Sequence, residues 1–169
     1  MASVLVALVL GACADGGAGP GAPRPTASTG SAPCGAEVEE PLDPRSTQHL
    51  LPGAPEPAYA NDPPTSGPHQ VARVPSGVQA QPLPRPVQVG LLEEGFVLVQ
   101  HRDLPDRDTE QLQGLATEMV VVAPLTGPGP PVVATAWRRR LSCTTVDLAA
   151  LRAFIAAHRG KTGDGATGR

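Results

Sequence analysis

Sixteen of the 21 prolines in this 169-residue chain fall between Pro20 and Pro86, and that placement limits what can fold where. Proline fixes φ near −65° and removes a backbone donor, so a stretch dense in it forms neither a helix interior nor a central strand. The first half is therefore predicted to be irregular, and burial is left to the second. Aromatic residues make up 2% of the chain, so the core there must be built mainly from Val, Leu and Ala. Such a core is thin.

Within the proline-rich half, Asn61-Asp62-Pro63-Pro64-Thr65-Ser66-Gly67-Pro68-His69 combines three rigid residues with a glycine free to turn. We expect a stiff loop over Pro63, Pro64, Thr65, Ser66, Gly67, Pro68 and His69. It would present the Thr65, Ser66 and His69 side chains to the outside.

Residues Ala2 to Ala12 form an uncharged apolar run. It is too short to cross a hydrocarbon core as a helix, which takes roughly 20 residues. Residues 1–12 have the length of a signal peptide, and Leu10-Gly11-Ala12-Cys13 resembles the bacterial lipobox, in which the cysteine is lipidated and becomes the mature N-terminus. One departure is that the first basic residue is Arg24, so no positive charge precedes the apolar run. Acyl chains such as palmitate on Cys13 would hold the protein on a membrane surface, since two chains anchor stably where one is marginal. Residues 13–33 hold almost nothing large enough to bury and form a flexible tether. The expected location is the extracytoplasmic face of a bacterial cell membrane.

With Cys13 lipidated, Cys34 and Cys143 remain. In an exported protein two leftover cysteines are expected to form a disulfide. The alternative, a reactive thiol, would need a lowered pKa, and neither a CxxC pair nor a flanking base is present to supply it.

The folded part is expected over residues 34–160. Phe96 to Gln100 is predicted as a strand buried on both faces. Asp108 offers an N-cap with Gln111 three residues on, and Leu112, Leu115 and Met119 recur at helical spacing. Met119 to Ala123 is a second strand, and Val132 to Trp137 a third. The short TGPGPP connection between them favours an antiparallel pair. Thr145 is expected to cap a last helix over 146–159, with Gly160 as its stop. Residues 71–86, punctuated by Pro82, Pro84 and Pro86, would run as an edge or polyproline-like wrap. The predicted class is α+β: a small mixed sheet of about three strands in strand-helix-strand-strand-helix order, with two helices and a proline-rich irregular N-terminal half. Residues 161–169 have nothing to bury and are expected to be disordered.

Pro63 to His69 resembles the signature of an exported, often membrane-anchored actinobacterial family known as domain-of-unknown-function family 3105. His49 upstream, Leu92-Glu93-Glu94-Gly95 before the first core strand, and Ala136-Trp137-Arg138 followed by Cys143 match it in order. The family tends to carry His-x-Leu-Glu-His-Gly before that strand, and here the two histidine positions are Gly90 and Glu94. The resemblance implies a constellation able to bind a metal or move a proton, of which this chain keeps His69, Glu93 and His49.

A formal charge of −3 and a pI near 5.8 give no basic face for nucleic acid. Arg138-Arg139-Arg140 is the one basic run and suits the solvated end of a strand. Two functional readings then stand side by side. One is a monomeric, non-catalytic binding or structural module without cofactor, tethered to membrane lipid through Cys13 and meeting a protein or cell-envelope partner. The other is a divalent-metal protein, for zinc or a similar ion, using His69, His49 and Glu93 with Glu94 as a substitute ligand. Hydrolysis by Asp62, Ser66 and His69 is disfavoured, because the G-x-S-x-G elbow is missing and residues three apart in a rigid loop need not face each other. The chain is not read as an enzyme. His101 is expected to be solvent-exposed, and His158 to favour the C-terminus of the last helix.

Overall fold

Nine short elements build one mixed sheet with helices on both faces. In the computed structural model, residues 32–71 and 76–163 are described. The signal-like run, Cys13 and the tether as far as residue 31 lie outside them. In chain order the elements are β1 (Val38–Glu39), β2 (Gly77–Val78), α1 (Arg85–Glu93), β3 (Val97–His101), α2 (Asp106–Gln113), β4 (Val120–Pro124), β5 (Val132–Ala136), β6 (Arg139–Cys143) and α3 (Leu148–His158). No helix among the described residues is long and apolar enough to cross a membrane.

The sheet has six strands in the order β1-β6-β5-β3-β4-β2. β3 is central: it runs parallel to β4 and antiparallel to β5. Its first four residues are all buried, as the apolar run of 96–100 predicts. Val97 and Val99 face a cluster with Val120, Val122, Leu112, Leu151, Phe154 and Ile155, so α2 and α3 cover that side. Leu98 faces the other way, with Val121 and with Val87, Leu91 and Leu92 of α1. Alternate side chains of one strand thus serve two cores.

The α+β class holds, and the three predicted strands and two predicted helices are all present within a larger set. The expected β4–β5 pair does not form. β3 lies between them, and the 125–131 connection steps over its end, where Leu125 N–H donates to the His101 carbonyl at 2.7 Å and Arg102 N–H to the Pro131 carbonyl at 2.9 Å. The Arg102 guanidinium fills the bend and donates to the Gly127 carbonyl. A loop of this length closes a hairpin or clears one strand equally well, and the buried chemistry of β3 decides between them.

Residues 85–93 form a helix that the sequence reading did not predict, and its first two residues, Arg85 and Pro86, belong to the stretch 71–86 expected to run as an edge or polyproline-like wrap. Pro86 sits in its first turn, where a missing N–H costs nothing because those donors have no helical acceptor. Arg139 to Cys143 forms a full strand and not a solvated end. The caps also shift. α2 starts at Asp106 behind Pro105, with Asp108 inside its first turn. Asp147, rather than Thr145, caps α3, and its carboxylate accepts from the N–H groups of Ala149 and Ala150, both at 3.0 Å. The segment 44–51 makes turns and no helix.

Cys34 and Cys143 form a disulfide closing 109 residues. Around it Gly35 N–H donates to the Ser142 carbonyl at 3.0 Å and Thr144 N–H to the Pro33 carbonyl at 2.7 Å. At the other end of the domain, order extends past Gly160. Gly163 is buried, and its N–H donates to the Glu93 carbonyl at 2.9 Å. The expected disorder therefore does not hold for residues 161–163, and the rest of the tail lies outside the described residues.

Candidate metal centre

The proline loop is packed inward. Every residue from Pro63 to His69 is buried, contrary to the presented loop the sequence suggested. The reason lies in its hydrogen-bond account. Three prolines bring no donors, and several of the remaining polar groups find partners. Thr65 donates its hydroxyl to Glu40 Oε2 at 2.7 Å, and its carbonyl accepts from Arg138 N–H at 3.0 Å. Ser66 Oγ accepts from Asp43 N–H at 3.0 Å, and the Pro68 carbonyl accepts from the Tyr59 hydroxyl at 2.6 Å.

His69 ends this loop with its side chain 1% exposed. The backbone on either side is fixed: His69 N–H donates to the Gln48 carbonyl at 3.0 Å, and Leu50 N–H to the His69 carbonyl at 2.7 Å. That parallel bridge brings His49 alongside, with its ring edge-on to that of His69 and centroids 4.8 Å apart. One residue on, Gln70 N–H donates to the Pro86 carbonyl at 3.1 Å, which ties the loop to the first turn of α1. The fit against that helix requires a glycine. A Cβ at Gly90 would lie 2.1 Å from the Gln70 carbonyl oxygen.

Glu93, one turn beyond Gly90, completes the cluster. Its Oε2 lies 2.7 Å from His69 Nε2 and 3.9 Å from His49 Nε2, and one donor atom from each of the three residues falls within 4.8 Å of the others. Two nitrogens and an oxygen bound to one zinc at ~2.0 Å would be about 3.3 Å apart at tetrahedral angles. The observed separations bracket that value. His69 Nδ1 is 3.0 Å from the Gly67 carbonyl, the backbone contact that commonly orients a metal-bound imidazole. Although Glu93 Oε2 is close to Nε2, it lies off the direction an N–H there would take, and Nε2 has no hydrogen-bond partner. The site is open on one side, since the His49 side chain is 59% and the Glu93 side chain 35% exposed.

The three residues named from the sequence are thus brought together from three separate segments. Glu94 is exposed and stands outside the cluster. The Asp62, Ser66 and His69 set does not assemble. Ser66 Oγ binds Asp43 N–H, His69 Nδ1 faces Gly67, and Asp62 is exposed with its carboxylate 3.8 Å from Arg85. His101 is only partly exposed, contrary to expectation, and burial holds its pKa below the usual range. His158 sits at the C-terminus of α3 as expected, and pairs with Glu37 at 3.0 Å.

Sequence reasoning passed over Glu40, Arg140 and Tyr59. Glu40 is 3% exposed and receives Thr65 and Asn61 on one oxygen. Its other oxygen lies 2.7 Å from the Arg140 guanidinium, an ion pair whose geometry falls short of a hydrogen bond. Nothing in the local sequence separates it from its exposed neighbours Glu37 and Glu39.

A mixed α+β domain carrying a His, His, Glu cluster under a buried proline loop defines the class of protein. The chain belongs to the family described as "Protein of unknown function (DUF3105)", whose model matches residues 54–168. The match takes in His69, Glu93 and Cys143, and begins after Cys34 and His49. No curated protein and no solved structure matched the chain.

Proposed function

We propose that this protein is a divalent-metal-binding module tethered to the extracytoplasmic face of a bacterial membrane through a lipidated Cys13. The observation that carries the metal reading is His69 Nε2. It is a buried imidazole nitrogen without a hydrogen-bond partner, set beside a carboxylate and a second imidazole. An unprotonated Nε2 and the Glu93 carboxylate 2.7 Å from it repel each other, and a cation beside both, a proton on Nε2 or a metal ion, relieves that repulsion. The donor set, two imidazoles and one carboxylate without sulfur, suits zinc or a similar borderline ion and disfavours Cu(I). Three protein ligands leave a coordination position for water or an outside ligand. The lipobox-like Cys13 and the apolar run before it support the anchor, and the Cys34–Cys143 bridge fits an oxidising compartment.

Elemental analysis of the full chain purified without chelators is expected to find one divalent ion per chain, absent from His69→Ala. A metal-free wild type would overturn the metal reading. Cys13→Ser is expected to release the protein from membranes, and unchanged membrane association would overturn the anchor.

A second reading, a binding module acting without metal, is favoured by a groove of about 410 Å³ lined by Pro41, Leu42, Pro44, Tyr59 and Pro64. Such a surface suits an extended, proline-rich envelope partner.

A further inference from the structure

The buried loop does more than supply His69. A carbonyl oxygen can only accept, so the 3.0 Å contact between His69 Nδ1 and the Gly67 carbonyl places the ring proton on Nδ1. The lone pair of the neutral ring is then on Nε2, the nitrogen nearest Glu93.

What keeps that carbonyl in place is local. Gly67 has φ of +130°, a region open to glycine, and a Cβ there would lie 3.0 and 3.1 Å from two Tyr59 ring carbons and 3.2 Å from Asp43 Oδ2. The Tyr59 hydroxyl donates to the next carbonyl, that of Pro68, at 2.6 Å. Ring and hydroxyl together therefore hold two consecutive residues. Burial pushes the Tyr59 pKa up to about 12, so the hydroxyl stays a donor. Asp43 is itself pinned by Arg45 at 2.7 Å. Tyr59, Gly67 and Asp43 form one small packed unit behind the imidazole.

Resting on the reading of His49, His69 and Glu93 as a metal centre, we propose that Gly67 and Tyr59 are its positioning residues. The Gly67 carbonyl selects the Nε2-ligating tautomer of His69, and Tyr59 fixes that carbonyl. The proline loop is then the outer shell of the centre.

The tautomer is read directly. In the metal-free full chain, nitrogen–proton correlation spectra of the imidazoles are expected to show His69 protonated at Nδ1. Protonation at Nε2 overturns the proposal whatever the chain binds. In zinc titrations Gly67→Ala is expected to weaken binding about 10- to 100-fold, the range for lost outer-shell partners. Tyr59→Phe, which keeps the ring and loses only the hydroxyl, is expected to weaken it severalfold, and it carries the test if Gly67→Ala does not fold. Val132→Ala, in the core on the α2 and α3 side, should lower the melting temperature and leave zinc affinity unchanged. Wild-type affinity in both loop variants overturns the proposal. A wild type that takes up no zinc overturns the metal reading and this role with it, and the His69 tautomer tells the two failures apart.

Discussion

Glu40 shows how much one side chain can hold. It is buried, paired with Arg140 at 2.7 Å, and accepts from Thr65 and Asn61. Its own backbone exchanges bonds with Arg138, giving an N–H to the Arg138 carbonyl at 2.8 Å and receiving Arg138 Nε at 3.2 Å. Arg140 is 28% exposed, so truncating Glu40 leaves the guanidinium partly solvated while Thr65 and Asn61 lose their acceptor, at a cost of about 1–3 kcal/mol. Glu40→Ala is therefore expected to lower stability by that amount in urea denaturation. Glu40→Gln, which keeps an acceptor for Thr65, should lose less. Equal losses would show that charge outweighs the hydrogen bonds. Gly90 makes the opposite kind of demand, because it needs a side chain to be absent. An alanine inside a helix normally gains about 1 kcal/mol over glycine, yet here its Cβ would meet the Gln70 carbonyl at 2.1 Å. Gly90→Ala is expected to destabilise by about 1–3 kcal/mol, as overpacking does. A more stable variant would mean that the loop can lift off α1 without penalty.

The elements differ in what binds them to one another. β3, β4 and β5 are joined by ladder pairing and by two apolar clusters. The irregular segment 41–71 has no ladder and is held to α1 by the Gln70–Pro86 hydrogen bond, the Arg85–Glu56 ion pair and the His49, His69, Glu93 cluster. A bound ion would join that segment to the end of α1. Zinc at 100 times its Kd is expected to raise stability by about 2.7 kcal/mol, with greater protease resistance around His49. An unchanged denaturation curve on adding zinc or chelator would contradict this. The sequence made the central strands legible, because continuous runs such as Val97 to Gln100 admit few alternatives. It made α1 illegible, because Pro82, Pro84 and Pro86 look alike along the chain while only Pro86 lies in a helical first turn. For the candidate site, the resemblance to the family singled out His49, His69 and Glu93. The inward turn of the loop was not visible, since it depends on Glu40, Tyr59 and Arg138 arriving from distant segments.

For the molecule as a whole, a thin core is supplemented by a covalent link. Closing a loop of 109 residues stabilises by about 5 kcal/mol in the chain-entropy model, a large share of an ordinary domain's 5–15 kcal/mol. Reduction, or Cys34→Ser with Cys143→Ser, is expected to shift the urea midpoint down accordingly without moving His49, His69 or Glu93. Loss of zinc uptake in the double variant would show that the bridge also shapes the centre. The position of the bridge also has a mechanical consequence. Cys34 precedes β1 and the irregular segment 41–71 with its proline loop, and joins the chain directly to the end of β6. Tension applied to the chain before Cys34 passes through sulfur into β6, the strand next to the β1 edge, and bypasses residues 35 to 71. Pulled from that end, the chain would keep His49 and His69 slack.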